Sequence, residues 1–240
     1  MKLRLLGFAT IAALVVVSLA PAAFGQDDVT VSFSGGGSTT WSGGPDGDVY
    51  AGIYNGTVSG IPGANPGIVC DDYKDNVVAG ETWTATALDA ASLNTSNIDD
   101  TLFGSAIGLQ GYAEVATLVS DMFSGKSGYT QAELSSAIWY ITGGGLVTFA
   151  SLDGNAQTLV NNLKSEFGSL SNLAAEGVLA QYANLWILTP SPEGPGEAQE
   201  MWVSAAEGGA ALAYLLLAGF SCCGAMFFRR RRGLAMRPVA

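Results

Sequence analysis

The sequence contains no histidine, and this absence removes several classes of active site at once. Ser-His-Asp and Cys-His nucleophile systems need an imidazole base, and histidine-based zinc sites need imidazole ligands. A phosphate-binding loop is also missing, because the glycine run that starts at Gly143 continues with Leu, Val and Thr and has no lysine. No nucleophile elbow or dinucleotide fingerprint is present either. We therefore expect a protein that is not an enzyme.

Cysteines are few, and most basic residues lie at the two ends of the chain. Cys222 and Cys223 belong to a hydrophobic segment near the C-terminus, so Cys70 stands alone in the remainder and no disulfide framework can form there. Residues 26–209 hold 21 acidic residues and three lysines, a net charge of −18 against −11 for the whole chain. This acidic balance excludes nucleic acid as a partner.

A hydrophobic segment stands at each end of the chain. Residues 1–25 combine two early basic residues, an apolar run and a small-residue site that ends at Gly25, which is the pattern of a cleaved signal peptide. Residues 210–228 form a run of 19 residues without charge, about the length that a helix needs to cross the hydrocarbon core of a bilayer. The alternatives are an uncleaved N-terminal anchor and a buried C-terminal core helix.

A basic cluster follows the second hydrophobic segment directly, at Arg229, Arg230, Arg231 and Arg232. Arginines beside a membrane-spanning helix remain on the cytoplasmic side and stop translocation. The sequence thus predicts an exported body, a C-terminal transmembrane helix at residues 210–228 and a basic cytoplasmic tail at residues 229–240.

The exported body, residues 26–190, changes its periodicity near Gly111. Before that point, short segments such as VTVSFSG, VYAGIYNGTVSG, PGIVCDDY and ETWTATAL are rich in β-branched and aromatic residues and are separated by Gly, Pro and Asn. After it, three helix-forming stretches flank the segment YTQAELSSAIWYIT, in which Thr130 and Glu133 form a capping box. LWILTP indicates a closing strand. We expect an α+β fold, with a β-rich N-terminal half and a helical second half.

Residues 191–209 are predicted to be an acidic Pro/Gly linker that ends in a short motif at Ala206, Glu207, Gly208 and Gly209. A signal peptide, a short motif, a membrane helix and an arginine cluster together resemble the bacterial PEP-CTERM-type sorting class. That resemblance implies transfer by an exosortase-like enzyme in the membrane. The usual Pro-Glu-Pro is replaced here by Ala206-Glu207-Gly208, and a permanent type I membrane protein is the alternative. The paired Cys222 and Cys223 fit either helix packing or lipid attachment.

The body also resembles, more distantly, the thioester domains of bacterial surface adhesins. In that family a cysteine near an early strand bonds to a glutamine side chain one helical turn before an AIW-type motif. Cys70 matches the cysteine, and Ala137, Ile138 and Trp139 match the motif, but Ser135 occupies the position expected for glutamine. Gln131 lies one further turn back, so Cys70 is either a thioester residue or a small buried apolar residue.

Oxygen ligands crowd the segment after Cys70, where Asp71, Asp72, Asp75 and Asn76 fall within six residues. Calcium prefers such ligands, although the spacing is not that of an EF-hand, and a solvated acidic turn is the alternative to a calcium site. Taken together, these patterns predict an exported protein at the cell surface or envelope, with an adhesive or matrix role. An extracellular polysaccharide or another cell-surface ligand is the partner that such a role implies.

Overall fold

The computed structural model describes residues 27–191 and 198–205. These residues contain eight β-strands, which alternate with turns rich in glycine. The strands are β1 (Asp27–Gly35), β2 (Thr39–Gly44), β3 (Gly47–Ala51), β4 (Ile53–Ser59), β5 (Ile68–Cys70), β6 (Thr82–Asp89), β7 (Leu185–Pro190) and β8 (Met201–Ser204).

Six of the strands form a closed antiparallel barrel in the order β1-β4-β5-β8-β7-β6. β2 and β3 pair only with each other and form a separate hairpin. The barrel therefore combines four strands that precede the helices with two strands that follow them. Alternation along β1 explains its inward face, since Val29, Val31 and Phe33 are buried in the barrel interior.

Four α-helices cover one side of the barrel. They are α1 (Gly104–Ser124), α2 (Gln131–Thr142), α3 (Gly154–Phe167) and α4 (Asn172–Leu179). Single turns of 3₁₀ helix lie at Ala90–Ser92, Ile98–Asp100 and Phe149–Ser151. α1 packs against the other three helices and is kinked at Gly108, whose φ of 62° and ψ of −173° are not helical.

Two hydrophobic clusters hold these layers together. The first fills the barrel interior, and the second lies between the helices and the outer face of the barrel. β5 contributes to both, because Ile68 and Cys70 face the interior whereas Val69 belongs to the helix-side cluster. A strand that is buried on both faces reads as a continuous apolar run, as Ile68–Cys70 does.

The predicted α+β class is confirmed, and so are most of the predicted elements. Thr130 caps α2 through a complete capping box with Glu133, and LWILTP forms β7. VYAGIYNGTVSG, predicted as one β-like stretch, is divided between β3 and β4 at Gly52, whose φ is 88°.

Two strands were not predicted. β2 lies in a glycine-rich stretch for which no strand was predicted. β8 lies within the predicted linker, residues 191–209. The linker prediction is wrong for residues 199–204, since Gln199, Glu200 and all of β8 are buried. The strand was missed because four residues are too few to show a clear alternation of apolar and polar residues, and because they follow an acidic Pro/Gly segment that is typical of a linker.

The two ends of the chain lie outside the described residues. This applies to the predicted signal peptide at residues 1–25, the short motif at residues 206–209, the predicted membrane helix at residues 210–228 and the arginine cluster that follows it. Among the residues that the structure describes, no helix is long and apolar enough to span a membrane.

Candidate functional site

A pocket with a volume of about 450 Å³ lies between the β2–β3 hairpin and the loop that follows β5. We call it the hairpin pocket. Its walls carry five aromatic rings, three carboxylates and several neutral polar groups. The lining residues are Phe33, Thr40, Asp46, Asp48, Val49, Tyr50, Tyr54, Asp72, Tyr73, Asn76, Val77, Trp139 and Gln199. Its volume falls in the range of pockets that bind small molecules.

One aromatic ring of the hairpin pocket is both exposed and fixed in place. Tyr50, on β3, is 57% exposed, which is unusual for a large aromatic side chain in this domain. Its ring packs on Gly36, because a Cβ atom added at Gly36 would lie only 2.1 Å from Tyr50 Cγ. Glycine at this position therefore allows the ring to lie against the backbone. Tyr50 can offer its other surface to a ligand at little cost in conformational entropy.

Two of the pocket rings, Tyr73 and Trp139, pack on each other and on Trp41, which is not itself a lining residue. Trp41, Tyr73 and Trp139 have centroid separations of 5.4 to 5.9 Å and tilted or edge-on geometry. Trp41 comes from β2, Tyr73 from the loop after β5, and Trp139 from α2. Because such pairs add to the stability of a core, this cluster fixes the hairpin against the helical layer.

One oxygen atom of a pocket-lining residue, Asp72 Oδ2, is buried without a hydrogen-bond partner among the described residues, and the buried Tyr73 hydroxyl lies close to Asp46 of the hairpin turn. Asp72 is 1% exposed and Tyr73 is 7% exposed. The other carboxylate oxygen of Asp72 accepts from the backbone N–H groups of Lys74 at 2.8 Å and Asp75 at 3.4 Å. Buried polar atoms are nearly always paired, so Asp72 Oδ2 calls for a water molecule or a ligand group.

Burial sets the protonation behaviour of this loop. It raises the pKa of Asp72, although the Lys74 and Asp75 backbone N–H groups and the Lys74 ammonium group favour the charged form. Burial also raises the pKa of Tyr73, and the nearby charge of Asp46 in the hairpin turn acts in the same direction. Gln199 holds the loop closed, since its side-chain amide donates to the carbonyl oxygens of Asp72, at 2.8 Å, and Asp75.

Cys70 lies in the barrel interior and is a free, buried thiol. Its Sγ atom is 3.0 Å from the Asp72 carbonyl oxygen, which accepts its weak hydrogen bond. Burial raises the pKa of the thiol, and the charge of Asp72 raises it further. A thiol with a raised pKa is a weak nucleophile at neutral pH. Tyr54 adjoins this group, and its hydroxyl donates to the Tyr50 carbonyl at 2.8 Å.

The residues that resemble a thioester site are partly brought together. Trp139 of the AIW motif donates from its indole nitrogen to the Cys70 carbonyl at 3.1 Å, so the motif does lie against the cysteine. Ser135 and Gln131 instead contact the corner between β3 and β4. Ser135 Oγ accepts from the Gly52 N–H at 2.7 Å, and Gln131 Oε1 accepts from the Ile53 N–H at 3.4 Å.

The aspartates that were predicted as calcium ligands do not share one site. Asp71 Oδ2 accepts from the Trp202 indole at 2.6 Å, in the direction of β8, whereas Asp72 caps the backbone of its own loop. Within residues 27–191 and 198–205, no group of three or more acidic or cysteine side chains is arranged to hold a metal ion. Asp71, Asp72 and Asp75 therefore do not form a three-carboxylate metal site among the described residues.

Asp71 instead faces Glu200, and both carboxyl groups are fully buried. Glu200 accepts three hydrogen bonds: from the Tyr112 hydroxyl at 2.7 Å, the Thr189 hydroxyl at 2.5 Å and the Leu102 N–H at 2.8 Å. Burial and the negative charge of Glu200 raise the pKa of Asp71 well above its ordinary value. Two adjacent carboxyl groups can bond only through a proton, so we assign the protonated acid to Asp71 and the anion to Glu200.

Several of these residues carry no signal in the sequence. Tyr50, Tyr73 and Gln199 come from a hairpin, a loop and a segment predicted as linker, and only the closed barrel brings them together. The aromatic residues between glycines at Trp41 and Tyr50 were the available hint, since large rings in a glycine-rich stretch need a surface on which to pack. The predicted sorting residues, Ala206 to Gly209, and the arginine cluster lie outside the described residues.

The fold and the pocket together define an α+β domain with a closed six-stranded antiparallel barrel and a pocket beneath an added hairpin. No protein-family model matches the sequence, and no curated protein matches it. Among solved structures, the chain is similar to the N-terminal domain of the Streptococcus pyogenes pilus tip adhesin Cpa. The sequence identity is 13% and the TM-score is 0.39, over 77% of this chain and 96% of that domain. This is a distant structural similarity.

Proposed function

We propose that this chain is an exported module of the cell surface or envelope, which binds a ligand without transforming it and has an adhesive or matrix-associated role. The observation that carries the proposal is the hairpin pocket. An exposed ring, Tyr50, stands at a cavity whose wall holds a buried carboxylate oxygen without a partner among the described residues, Asp72 Oδ2, beside the Tyr73 hydroxyl. Convergent polar groups within an aromatic pocket are the usual form of a small-molecule binding site.

The sequence supports export and delivery to the surface. Residues 1–25 have the pattern of a signal peptide, and residues 206–232 have the layout of a C-terminal sorting signal with its arginine cluster. An exosortase-like enzyme is then the processing partner. The chain is anchored in the membrane at least until it is processed. The strongly acidic body suits an exposed protein that must remain soluble.

The proposal assigns no catalytic residue. Asp71 and Glu200 are a carboxyl pair that could be considered for acid–base chemistry, yet both are fully buried, and Asp71 Oδ2 and both Glu200 oxygens bond to protein groups. A general acid or base must come within hydrogen-bond reach of the substrate. We therefore attribute a structural role to this pair and a binding role to the hairpin pocket.

Fractionation of the producing cell, followed by an attachment assay, tests the proposal. We expect the mature body in the envelope or medium, and we expect cells without the gene to attach less well to their matrix. The parent gene should restore attachment, whereas a Tyr50→Ala gene should restore it poorly. Leu173→Ala is a matched control, because Leu173 is 79% exposed and lies outside the pocket. Recovery of the body only in the cytosol, or full attachment without the gene, would contradict the proposal.

A permanent type I membrane protein is the alternative to sorting. Both forms place the body outside the cell, but only sorting removes Cys222, Cys223 and the arginine cluster. Mass spectrometry of the surface-located protein distinguishes them. A C-terminus near Glu207 supports processing, and an intact C-terminus at Ala240 supports the permanent anchor.

A covalent adhesin that uses Cys70 is a second candidate, favoured by the contact between Trp139 and the Cys70 carbonyl. In this reaction the Cys70 sulfur would attack the side-chain amide carbon of Gln131, a C–S bond would form, and the amide nitrogen would leave as ammonia with the thiol proton. Intact-mass measurement of the purified body detects the loss of one ammonia. A full mass together with one titratable thiol in the denatured body rules this candidate out.

A further inference from the structure

The unpaired polar atom in the lining of the hairpin pocket indicates which chemical groups its ligand carries. Asp72 Oδ2 is an acceptor without a donor among the described residues, and the Tyr73 hydroxyl, which can donate or accept, lies close to Asp46 of the hairpin turn. The two residues are adjacent in the chain and line the same cavity. A ligand that satisfies Asp72 Oδ2 must present a hydroxyl or amide donor, because a purely apolar molecule would leave this oxygen unpaired.

The charge of the pocket excludes anionic ligands. Asp46, Asp48 and Asp72 line it, and no lysine or arginine among the described residues does so. A phosphate, a sulfate or an acidic sugar would meet like charges with no compensating cation. A cationic ligand is not required either, since Lys74 already acts on the charge of Asp72. Asp46 and Asp48 are exposed to water in the hairpin.

The aromatic rings supply the remaining part of the site. Tyr50 is supported from below by Gly36, so its free face is available at the pocket without any rearrangement. A sugar ring has an apolar C–H face that packs on an aromatic ring, and its hydroxyl groups both donate and accept hydrogen bonds. A compact ammonium group offers only donors and has no C–H face of the size of a sugar ring to cover the free face of Tyr50.

We infer that the hairpin pocket binds an uncharged sugar unit, with its ring on Tyr50 and its hydroxyl groups on Asp72 and Tyr73. This inference rests on the proposed function and specifies its ligand: a neutral polysaccharide or glycan of the extracellular matrix or of a cell surface. A sugar hydroxyl group supplies the hydrogen bond that Asp72 Oδ2 lacks, and the Tyr73 hydroxyl is near enough in the same lining to bond a second one. The acidic hairpin keeps anionic polymers away from the site.

The inference is tested by measuring the binding of neutral sugars to the secreted protein, whose body comprises residues 26–205. The probes are glucose, galactose, mannose, N-acetylglucosamine and their β-linked disaccharides, measured by saturation-transfer NMR and by calorimetry. Glucuronic acid and choline serve as the anionic and cationic comparison. We expect at least one neutral sugar to bind with an affinity that does not change between low and high salt, and neither charged probe to compete with it.

Two variants locate the binding. Tyr50→Ala should weaken it by about tenfold, because the stacking surface is lost. Tyr73→Phe retains the ring and should weaken binding by about five- to tenfold, through one hydrogen bond. Leu173→Ala and Tyr182→Phe make comparable changes outside the pocket and should bind like the parent. The thermal unfolding of each variant confirms that it is folded.

Three results would overturn the inference. They are salt-sensitive binding of choline at Tyr50, equal binding by the parent and by both pocket variants, and no binding of any neutral sugar. The proposed function fails separately, through a cytosolic location or unchanged attachment of cells. A protein that promotes attachment but binds no neutral sugar would therefore refute the sugar site and leave the surface role standing.

Discussion

At the scale of single residues, the buried pair of Asp71 and Glu200 links the stability of the domain to pH. The folded protein holds a proton on Asp71 that an unfolded aspartate, with a pKa of about 3.9, releases in mild acid. The stabilisation from this proton is therefore complete below about pH 3.9 and is lost as the pH rises through the folded-state pKa. Stability due to this group falls with increasing pH, opposite to the usual behaviour of a salt-bridged aspartate.

Asp71→Asn tests this linkage, because the amide resembles the protonated acid and does not titrate. We expect the variant to gain stability over the parent as the pH rises from 5 to 8. The parent should lose up to about 1.4 kcal/mol more per pH unit, the value for one proton. Thermal or urea unfolding across this range gives the two slopes. Buried carboxyls such as Asp72 and Glu114, whose pKa values burial also raises, contribute to both proteins and cancel in the comparison.

Asp99→Asn is the control for this experiment, since it makes the same chemical change at an exposed aspartate. The control should follow the parent at every pH. Parallel curves for the parent and for Asp71→Asn would show that Asp71 is ionised in the folded protein, and the assignment of the proton to the Asp71–Glu200 pair would then be wrong.

At the scale of secondary-structure elements, α2 is attached to the barrel at the corner between β3 and β4. The Gly52 N–H donates to Ser135 Oγ on the inner side of α2. Gly52 has a φ of 88°, in the region that favours glycine, and a Cβ atom there would lie 2.7 Å from Gln131 Cβ. Glycine is therefore required at position 52 for two reasons: its backbone conformation has a positive φ, and the helix approaches too closely for a Cβ atom.

Gly52→Ala and Gly47→Ala separate these two requirements. Gly47 also has a positive φ, 76°, but an added Cβ atom there would meet nothing within 4 Å. Gly47→Ala should lower the free energy of unfolding by about 1–2 kcal/mol, the cost of the backbone conformation alone. Gly52→Ala should cost about a further 1–3 kcal/mol, because Gln131 and its helix must move. Urea unfolding measures both, and equal losses would show that α2 does not press on this corner.

The elements that the sequence predicted are those whose physical signal is local. The capping box of Thr130 and Glu133, the helical spacing of apolar residues in α1 and the alternation in β1 depend only on neighbours in the chain. β2 and β8 depend on distant partners instead. β2 is stabilised by the packing of Trp41 on Tyr73 and Trp139, and β8 by insertion between β5 and β7. Neither interaction can be read from the local pattern.

At the scale of the whole molecule, the same distinction explains why the candidate site could be predicted only in part. The sequence drew attention to Cys70 and to the aspartates that follow it. The structure places Asp72 in the lining of the hairpin pocket and Cys70 in the barrel interior, with its Sγ atom bonded to the Asp72 carbonyl oxygen. The partners that give these residues their environment, such as Tyr50 and Gln199, lie at distant positions in the chain. Closure of the barrel brings them together, and closure depends on the pairing of β5 with β8.

Closure also assigns a structural role to the segment immediately before the predicted sorting motif. β8 lies between β5 and β7, and its four residues are buried. Glu200, just before the strand, supplies the acceptors for Leu102, Tyr112 and Thr189. The domain therefore ends near Ala205, which pairs with Ala64 beside the barrel, rather than at residue 190 as the composition predicts.

Two shortened chains test this boundary, one of residues 26–205 and one of residues 26–190. The shorter chain lacks β8, so the edges of β5 and β7 are exposed and Trp202, a fully buried side chain, is lost. Loss of a buried tryptophan alone costs about 3–5 kcal/mol, and the orphaned partners of Glu200 add to it. A domain of ordinary stability has only about 5–15 kcal/mol available.

We expect residues 26–205 to unfold cooperatively and residues 26–190 to lack a cooperative transition in circular dichroism. Addition of a peptide of residues 198–205 should partly restore the transition, whereas the same peptide with Glu200→Ala and Trp202→Ala should not. If residues 26–190 melt at the temperature of the longer chain, β8 is dispensable and the barrel does not depend on it for closure.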